Sequence, residues 1–184
     1  MKNISAPLSA ELIRSLRAGD EILLTGTIYT ARDAAHKRLI SLLESGEKLP
    51  VDLSGQVLYY TGPTPPRPGM AIGSAGPTTS SRMDKYTPSL VAATGLGGII
   101  GKGIRSEEVI RSLKDNTCVY FAAVGGAGAL LARQIKSARV VAYPDLGPEA
   151  IYKLEVVDFP LIVAIDCEGN NLYVEGPRKY KKQN

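Results

Sequence analysis

Ser106-Glu107-Glu108-Val109-Ile110-Arg111-Ser112-Leu113, then Thr117-Cys118-Val119-Tyr120-Phe121-Ala122-Ala123-Val124, then the run from Gly126 to Ala142, decide the class of the fold. The first piece predicts a helix, with Ser106 as N-cap and two glutamates in the positively polarised first turn. The second is an apolar run of strand length. Gly126 to Ile135 reads as a helix and Ala138 to Ala142 as a strand. Helices and strands in direct alternation predict an α/β domain.

The alternation continues on both sides. Leu8, Leu12, Ile13 and Leu16 recur at helical spacing before a stop at Gly19. Glu21 to Ile28 predicts a strand, and Ala34, Ala35, Leu39, Leu42 and Leu43 a helix ending at Gly46. Val57-Leu58-Tyr59-Tyr60 predicts a strand, and Thr87-Pro88 opens a helix, with proline at a favoured first position. Gly95-Leu96-Gly97-Gly98-Ile99-Ile100-Gly101-Lys102-Gly103 reads as a glycine-rich turn around two apolar residues. Toward the C-terminus, Ile151 to Val157, Leu161 to Ile165 and Leu172-Tyr173-Val174 predict three strands. The breaker-rich segment Gly62 to Gly69 is read as a rigid loop within one domain rather than a linker, since the part before it is too small to stand alone.

The chain has 184 residues, 44% of them hydrophobic and 22% charged, which suits one globular domain able to bury a core without disulfides. No apolar run approaches the roughly 20 residues of a membrane helix, and no apolar signal core follows Met1. The net charge is +4, and much of it lies in the terminal cluster Arg178-Lys179-Tyr180-Lys181-Lys182, read as a solvated tail. Neither a nucleic-acid nor a membrane partner is indicated. Two cysteines, Cys118 and Cys167, stand far apart and cannot alone hold an iron–sulfur cluster. A reducing cytoplasmic setting is expected.

Two glycine motifs are candidate nucleotide sites, and the first fails. Gly101-Lys102 lacks a phosphate loop's first glycine, replaced by Leu96, and its hydroxyl, replaced by Gly103. Val124-Gly125-Gly126-Ala127-Gly128 follows a strand and opens a helix, with Asp145 near the place of a ribose-binding acid, but Leu131 replaces the third glycine. Steric demands of a tight turn explain these glycines better.

Arg32 and His36 share a helix face, Thr78, Thr79 and Arg82 follow Gly76-Pro77, and Lys102 stands between two glycines. Each has a bland explanation as a solvated group. Together, two arginines, a lysine and hydroxyls on breaker-rich segments suit a small dicarboxylate, because guanidinium pairs bidentately with carboxylate.

At Thr30-Ala31-Arg32-Asp33-Ala34-Ala35-His36-Lys37, Gly73-Ser74-Ala75-Gly76-Pro77-Thr78-Thr79-Ser80-Ser81-Arg82-Met83-Asp84 and Gly98-Ile99-Ile100-Gly101-Lys102-Gly103, the chain resembles the β region of class I, iron–sulfur-dependent fumarases and L(+)-tartrate dehydratases. Gly62 to Pro65, Gly125 to Ala127, Val157 to Pro160 and Asp166 to Asn170 extend the resemblance along nearly the whole chain. Ala31 stands where that family often has glycine. The resemblance implies one compact swivelling β/β/α domain over residues 1–184. It implies the β subunit of a hydro-lyase that interconverts fumarate and L-malate, or dehydrates L-tartrate to oxaloacetate. It also implies a 4Fe–4S cluster on a separate α subunit, in an α2β2 assembly. By the same resemblance Thr78 and Lys102 are catalytic, Arg32 and Arg82 clamp substrate carboxylates, Thr79 binds substrate or fixes the turn, and His36 orients. A nucleotide-binding module or a non-catalytic scaffold are the other two classes considered.

Overall fold

A computed structural model describes residues 1–66, 68–123 and 128–180, and the side chains of residues 178–180 are not part of that description. The basic tail beyond 180, the start of the 126–135 helix and the Gly125-Gly126-Ala127 block lie outside the described residues.

Among the described residues, seven strands are joined into one sheet. β1 (Lys2–Ala6), β2 (Glu21–Thr30), β3 (Val57–Tyr59), β4 (Gly98–Gly101) and β5 (Val119–Ala122) run parallel, each beside the next. β7 (Ile151–Ile165) pairs antiparallel with β2, with β5 and with β6 (Ile135–Ala142). Since β7 touches both β2 and β5, the strands β2-β3-β4-β5-β7 close on themselves. Helices α2 (Asp33–Ser45), α3 (Thr87–Thr94) and α4 (Glu107–Asp115) are the crossovers from β2 to β3, from β3 to β4 and from β4 to β5, as parallel neighbours require.

The alternation of side chains along the parallel strands separates two cores. Val57, Tyr59, Val119 and Phe121 join a cluster with Ile22, Leu24, Leu154 and Phe159 of the long strands. Leu58, Tyr60, Cys118 and Tyr120 face the other way, onto Ala35, Leu39, Leu90, Val91, Val109 and Leu113 of the three helices. Strands, strands and helices therefore stack as three layers, β/β/α, in a single compact α/β domain. Each fully buried side chain of Leu or Phe size contributes on the order of 2 kcal/mol.

Four expectations change. Gly98–Gly101 is a fully buried central strand, not a turn. A Cβ on Gly98 would stand 2.9 Å from Phe121 Cε2, and one on Gly101 only 1.9 Å from Ser80 Oγ, so these glycines admit neighbours rather than bend the chain. Ile151 to Ile165 is one strand, which passes through Pro160 with a bulge opposite Leu24 and Gly26. Leu172-Tyr173-Val174 opens α6 (Leu172–Tyr180) instead of forming a strand. Asn171 decides this: its Oδ1 accepts from Tyr173 N at 3.0 Å, and its carbonyl accepts from Val174 N and Glu175 N, an N-cap that overrides the strand preference of Tyr and Val. The N-terminus adds an unforeseen strand, β1, before α1 (Ala10–Ser15), whose N-cap is Ser9.

Candidate substrate site

Parallel strands place their C-terminal ends at one edge, where α/β sheets collect ligand-binding loops. Arg32 follows β2, Thr61 and Gly62 follow β3, and Lys102 follows β4. Backbone hydrogen bonds carry the ladder past the strand ends. Ala31 N donates to Tyr59 O at 3.1 Å, Tyr60 N to Ile100 O at 2.8 Å, Thr78 N to Tyr60 O at 2.7 Å, and Ser80 N to Lys102 O at 3.1 Å. Thr79 and Lys102 form a parallel bridge. The turn that carries Thr78 is held further by Thr61 Oγ1 donating to Gly76 O at 2.7 Å and by Tyr59 OH donating to Ala75 O. Segments far apart in sequence thus meet through the main chain.

Arg82 stands on a short 3-10 turn, Ser80–Met83, and its Nη2 donates to Asp33 Oδ2 at 2.8 Å. The same Oδ2 lies 3.8 Å from Arg32 Nη2, which is also 3.6 Å from Glu149 Oε1. Glu149 comes from the 3-10 segment Pro144–Glu149, and its other oxygen accepts from Ala34 N at 2.9 Å. It caps α2 in place of a bound anion. Arg32 Nε is buried without a partner, and Gly62 leaves room for its side chain, since a Cβ there would lie 3.1 Å from Arg32 Cδ.

The cations differ in their company. Arg32 and Arg82 have acids beside them, whereas Lys102, half-buried, makes no ion pair among the described residues. Thr78 is half-buried and Thr79 exposed. Gly103 adopts φ +82° with open space around it, which suits the turn that presents Lys102. Gly76 is not crowded, as the nearest atom to a Cβ there is 3.7 Å away.

His36 is placed beneath this surface rather than on it. It is fully buried, its Nδ1 donates to Arg32 O at 2.8 Å, and its ring stands edge-on to Tyr60 at 4.9 Å. Burial holds its pKa down at about 4, so the ring is neutral at physiological pH. It supports the backbone of Arg32 and has no open path to a ligand.

Sequence reasoning passed over several residues that shape this site. Asp33 and Glu149 neutralise the arginines, and Asp84 pairs with the buried Arg105 at 2.7 Å. Asp33 was legible as the neighbour of Arg32, and Asp84 as the end of the Arg82-Met83-Asp84 run. Glu149 carried no local signal.

The described residues hold no group of three or more His, Cys, Asp or Glu placed to bind a metal ion. The cysteines do not fit a cluster either. Cys118 is fully buried, with burial pushing its thiol up to about 12, and Cys167 packs against the other core, its thiol raised by burial and by Asp166 and Glu168. The nucleotide motif also loses its support. A Cβ on Gly128 would stand 2.4 Å from Ser74 Oγ, a packing demand, and Asp145 is engaged by Arg38 at 2.9 Å.

Residues 2–176 match the family described as Fumarase C-terminus. The chain belongs to that family. It is 42% identical over 183 residues to a Methanocaldococcus jannaschii protein whose provisional name is L(+)-tartrate dehydratase subunit beta, covering 96% of this chain and 94% of that one. It is 40% identical over 174 residues to the aerobic class I fumarate hydratase of Escherichia coli, covering 94% of this chain but 31% of the enzyme. Fumarate hydratase 2 of Leishmania major is 38% identical over 156 residues, with 84% and 28% covered. The chain therefore spans about a third of the length of the fumarate hydratases it matches, and nearly all of the subunit it matches. Within the Fumarase C-terminus family it corresponds either to a separate subunit or to one region of a longer hydro-lyase.

Proposed function

We propose that this chain is the β subunit of a hydro-lyase that reversibly hydrates fumarate to L-malate together with an α subunit. The observation that carries this reading is the gathering of Arg32, Arg82, Thr78 and Lys102 at one edge of the parallel sheet, with Lys102 unpaired among the described residues. Arg32 and Arg82 bind the substrate carboxylates in planar bidentate fashion, displacing Glu149 and Asp33 from their first contacts. Lys102 stabilises the charge that grows on a carboxylate as the neighbouring C–H proton leaves. Thr78 exchanges that proton through its hydroxyl, which the Lys102 ammonium favours in the ionised form. Thr79 contacts substrate from the exposed side of the turn, and His36 orients Arg32 from below.

On this reading residues 1–184 form one swivelling-type domain and the assembly is α2β2. The α subunit holds the 4Fe–4S cluster that class I enzymes of this kind use, and this chain supplies no ligand to it. No helix among the described residues is long and apolar enough to cross a membrane, and the cytoplasm is the place of work on this reading. L(+)-tartrate, dehydrated to oxaloacetate, is the second reading, favoured by the end-to-end match to the Methanocaldococcus jannaschii subunit.

The test is anaerobic isolation of this chain with its partner from the native host, followed by assay of fumarate hydration and L-tartrate dehydration on the same preparation. Fumarate turnover that falls about 100-fold or more in Thr78→Ala, with KM little changed, is the expected result. Faster turnover of tartrate makes the second reading the right one. A Thr78→Ala complex with the wild-type rate removes Thr78 from the chemistry.

A further inference from the structure

Lys102 has no acid to anchor its ammonium among the described residues, and the contacts that hold it are those of its main chain. The holding contacts come from three distant parts of the chain. Lys102 N donates to Ser80 Oγ at 3.2 Å, and Lys102 O accepts from Ser80 N at 3.1 Å. On the following residue, Gly103 N donates to Tyr173 Oη at 3.2 Å. Tyr120 Oη lies 3.0 Å from both Gly103 O and Ser80 Oγ. Every N–H and C=O of the Lys102-Gly103 pair is thereby bonded inside the domain, by β5, by α6 and by the turn that carries Thr78.

The arrangement is costly to build without a purpose. Tyr120 is fully buried, and a buried phenol needs a partner for its hydroxyl. Burial raises its pKa, so it remains a donor across the physiological range. Gly101 has no side chain because Ser80 Oγ fills the space that a Cβ would take. Lys102 and Gly103 lie beyond the end of β4, where the bridge to Thr79 is the last piece of ladder and a loop would otherwise gain freedom.

From this geometry we infer that Ser80, Tyr120 and Tyr173 are positioning residues that fix the main chain of Lys102, and with it the point from which its ammonium reaches the substrate. Ser80 and Tyr120 are fully buried, so they act through Lys102 and not on substrate. Ser80 does two jobs at once, because its backbone and side chain tie Lys102 to the same turn that presents Thr78 and Thr79. Tyr173 makes the last helix of the domain part of the site. The inference rests on the role of Lys102 given under the proposed function.

The experiment uses the complete enzyme for kinetics and the full chain for amide hydrogen exchange. Tyr173→Phe, Tyr120→Phe and Ser80→Ala are compared with Lys102→Met. Tyr173→Phe is expected to speed exchange at the Gly103 amide, and Ser80→Ala at the Lys102 amide. In the complex both lower kcat roughly three- to tenfold, the size of one lost hydrogen bond, while KM stays within about twofold. Lys102→Met lowers kcat more than either. Faster exchange with an unchanged kcat overturns the positioning role and leaves the function reading intact. Unchanged exchange overturns the proposed anchor itself. Normal turnover in Lys102→Met removes Lys102 from the reaction, and the inference with it. Should Tyr120→Phe fail to fold, the other two variants, Tyr173→Phe and Ser80→Ala, still decide the outcome.

Discussion

Arg82 Nη2 donates to Asp33 Oδ2 at 2.8 Å, joining the 3-10 turn after Thr79 to the first turn of α2. Both side chains are nearly half exposed, so the pair contributes at most about 1 kcal/mol to folding. Its importance is geometric. Arg82→Lys keeps the charge and loses the planar fork. The expected outcome is a KM for dicarboxylate raised about tenfold, a lower kcat, and a thermal midpoint within roughly 2 °C of wild type. Steady-state kinetics beside a melting curve checks this, and a large drop in the midpoint with unchanged KM contradicts it.

Asp84 and Arg105 form the buried counterpart of that surface pair. The guanidinium is fully enclosed, with Nε 2.7 Å from Asp84 Oδ1 and Nη2 donating to Thr87 Oγ1 at 2.8 Å. Its face lies over the rings of Tyr60 and Tyr120 at 5.5 and 5.0 Å. Asp84 Oδ2 also accepts from Ser106 N at 2.7 Å at the start of α4. Asp84→Asn leaves a buried cation without its counter-charge and is expected to cost about 3–5 kcal/mol. Urea unfolding measures it. The double variant Asp84→Asn with Arg105→Met recovers part of the loss, since the uncompensated charge is gone.

His36 is the single histidine of the chain, so its titration can be followed without ambiguity. Its folded pKa of about 4 lies below the ordinary 6.5 because burial disfavours the charged ring. As pH falls, the unfolded chain binds the proton first. The stabilisation is therefore complete above about pH 6.5 and is lost progressively toward pH 4, amounting to on the order of 3 kcal/mol in all. Ring resonances that stay constant from pH 8 to 5 are expected by NMR, together with a urea midpoint that falls over the same range and falls less in His36→Gln. A ring that titrates near 6.5 refutes the buried neutral assignment.

Gly101→Ala and Gly103→Ala separate two reasons for glycine. At Gly101 a Cβ meets Ser80 Oγ at 1.9 Å, and the crowding is expected to cost about 1–3 kcal/mol. At Gly103 space is open and only the left-handed backbone, φ +82°, resists, at about 1–2 kcal/mol. Thermal melts rank the two. Displacement of Ser80 in Gly101→Ala also speeds amide exchange at Lys102.

Local pattern made most of the helices and strands legible, because each depends on neighbours within a few residues. Ser106 announces α4 by a hydroxyl that accepts from Val109 N, and Gly46 ends α2 in a left-handed cap. The misread pieces are those where distant contacts decide. Gly98 and Gly101 look like turn residues until Phe121 and Ser80 are seen to occupy their missing side-chain volumes. Leu172-Tyr173-Val174 is the exception, because its deciding contact is local: Asn171, next to it in sequence, caps the helix against the strand preference of Tyr and Val.

The sequence by itself determined the α/β class and the family, and it named the candidate site residues, since Arg32, Thr78, Arg82 and Lys102 all lie in short motifs that can be read in place. Only the tertiary structure decided which of them stand free and which are held. The pairing of Arg32 with Glu149 spans most of the chain, and Tyr120 and Tyr173 reach Gly103 from β5 and α6. Burial separated His36 from the surface that its sequence neighbours share. The physical reason is that charge pairing and burial are properties of a residue's surroundings in space, which the closing of β7 onto both β2 and β5 creates and no local stretch contains.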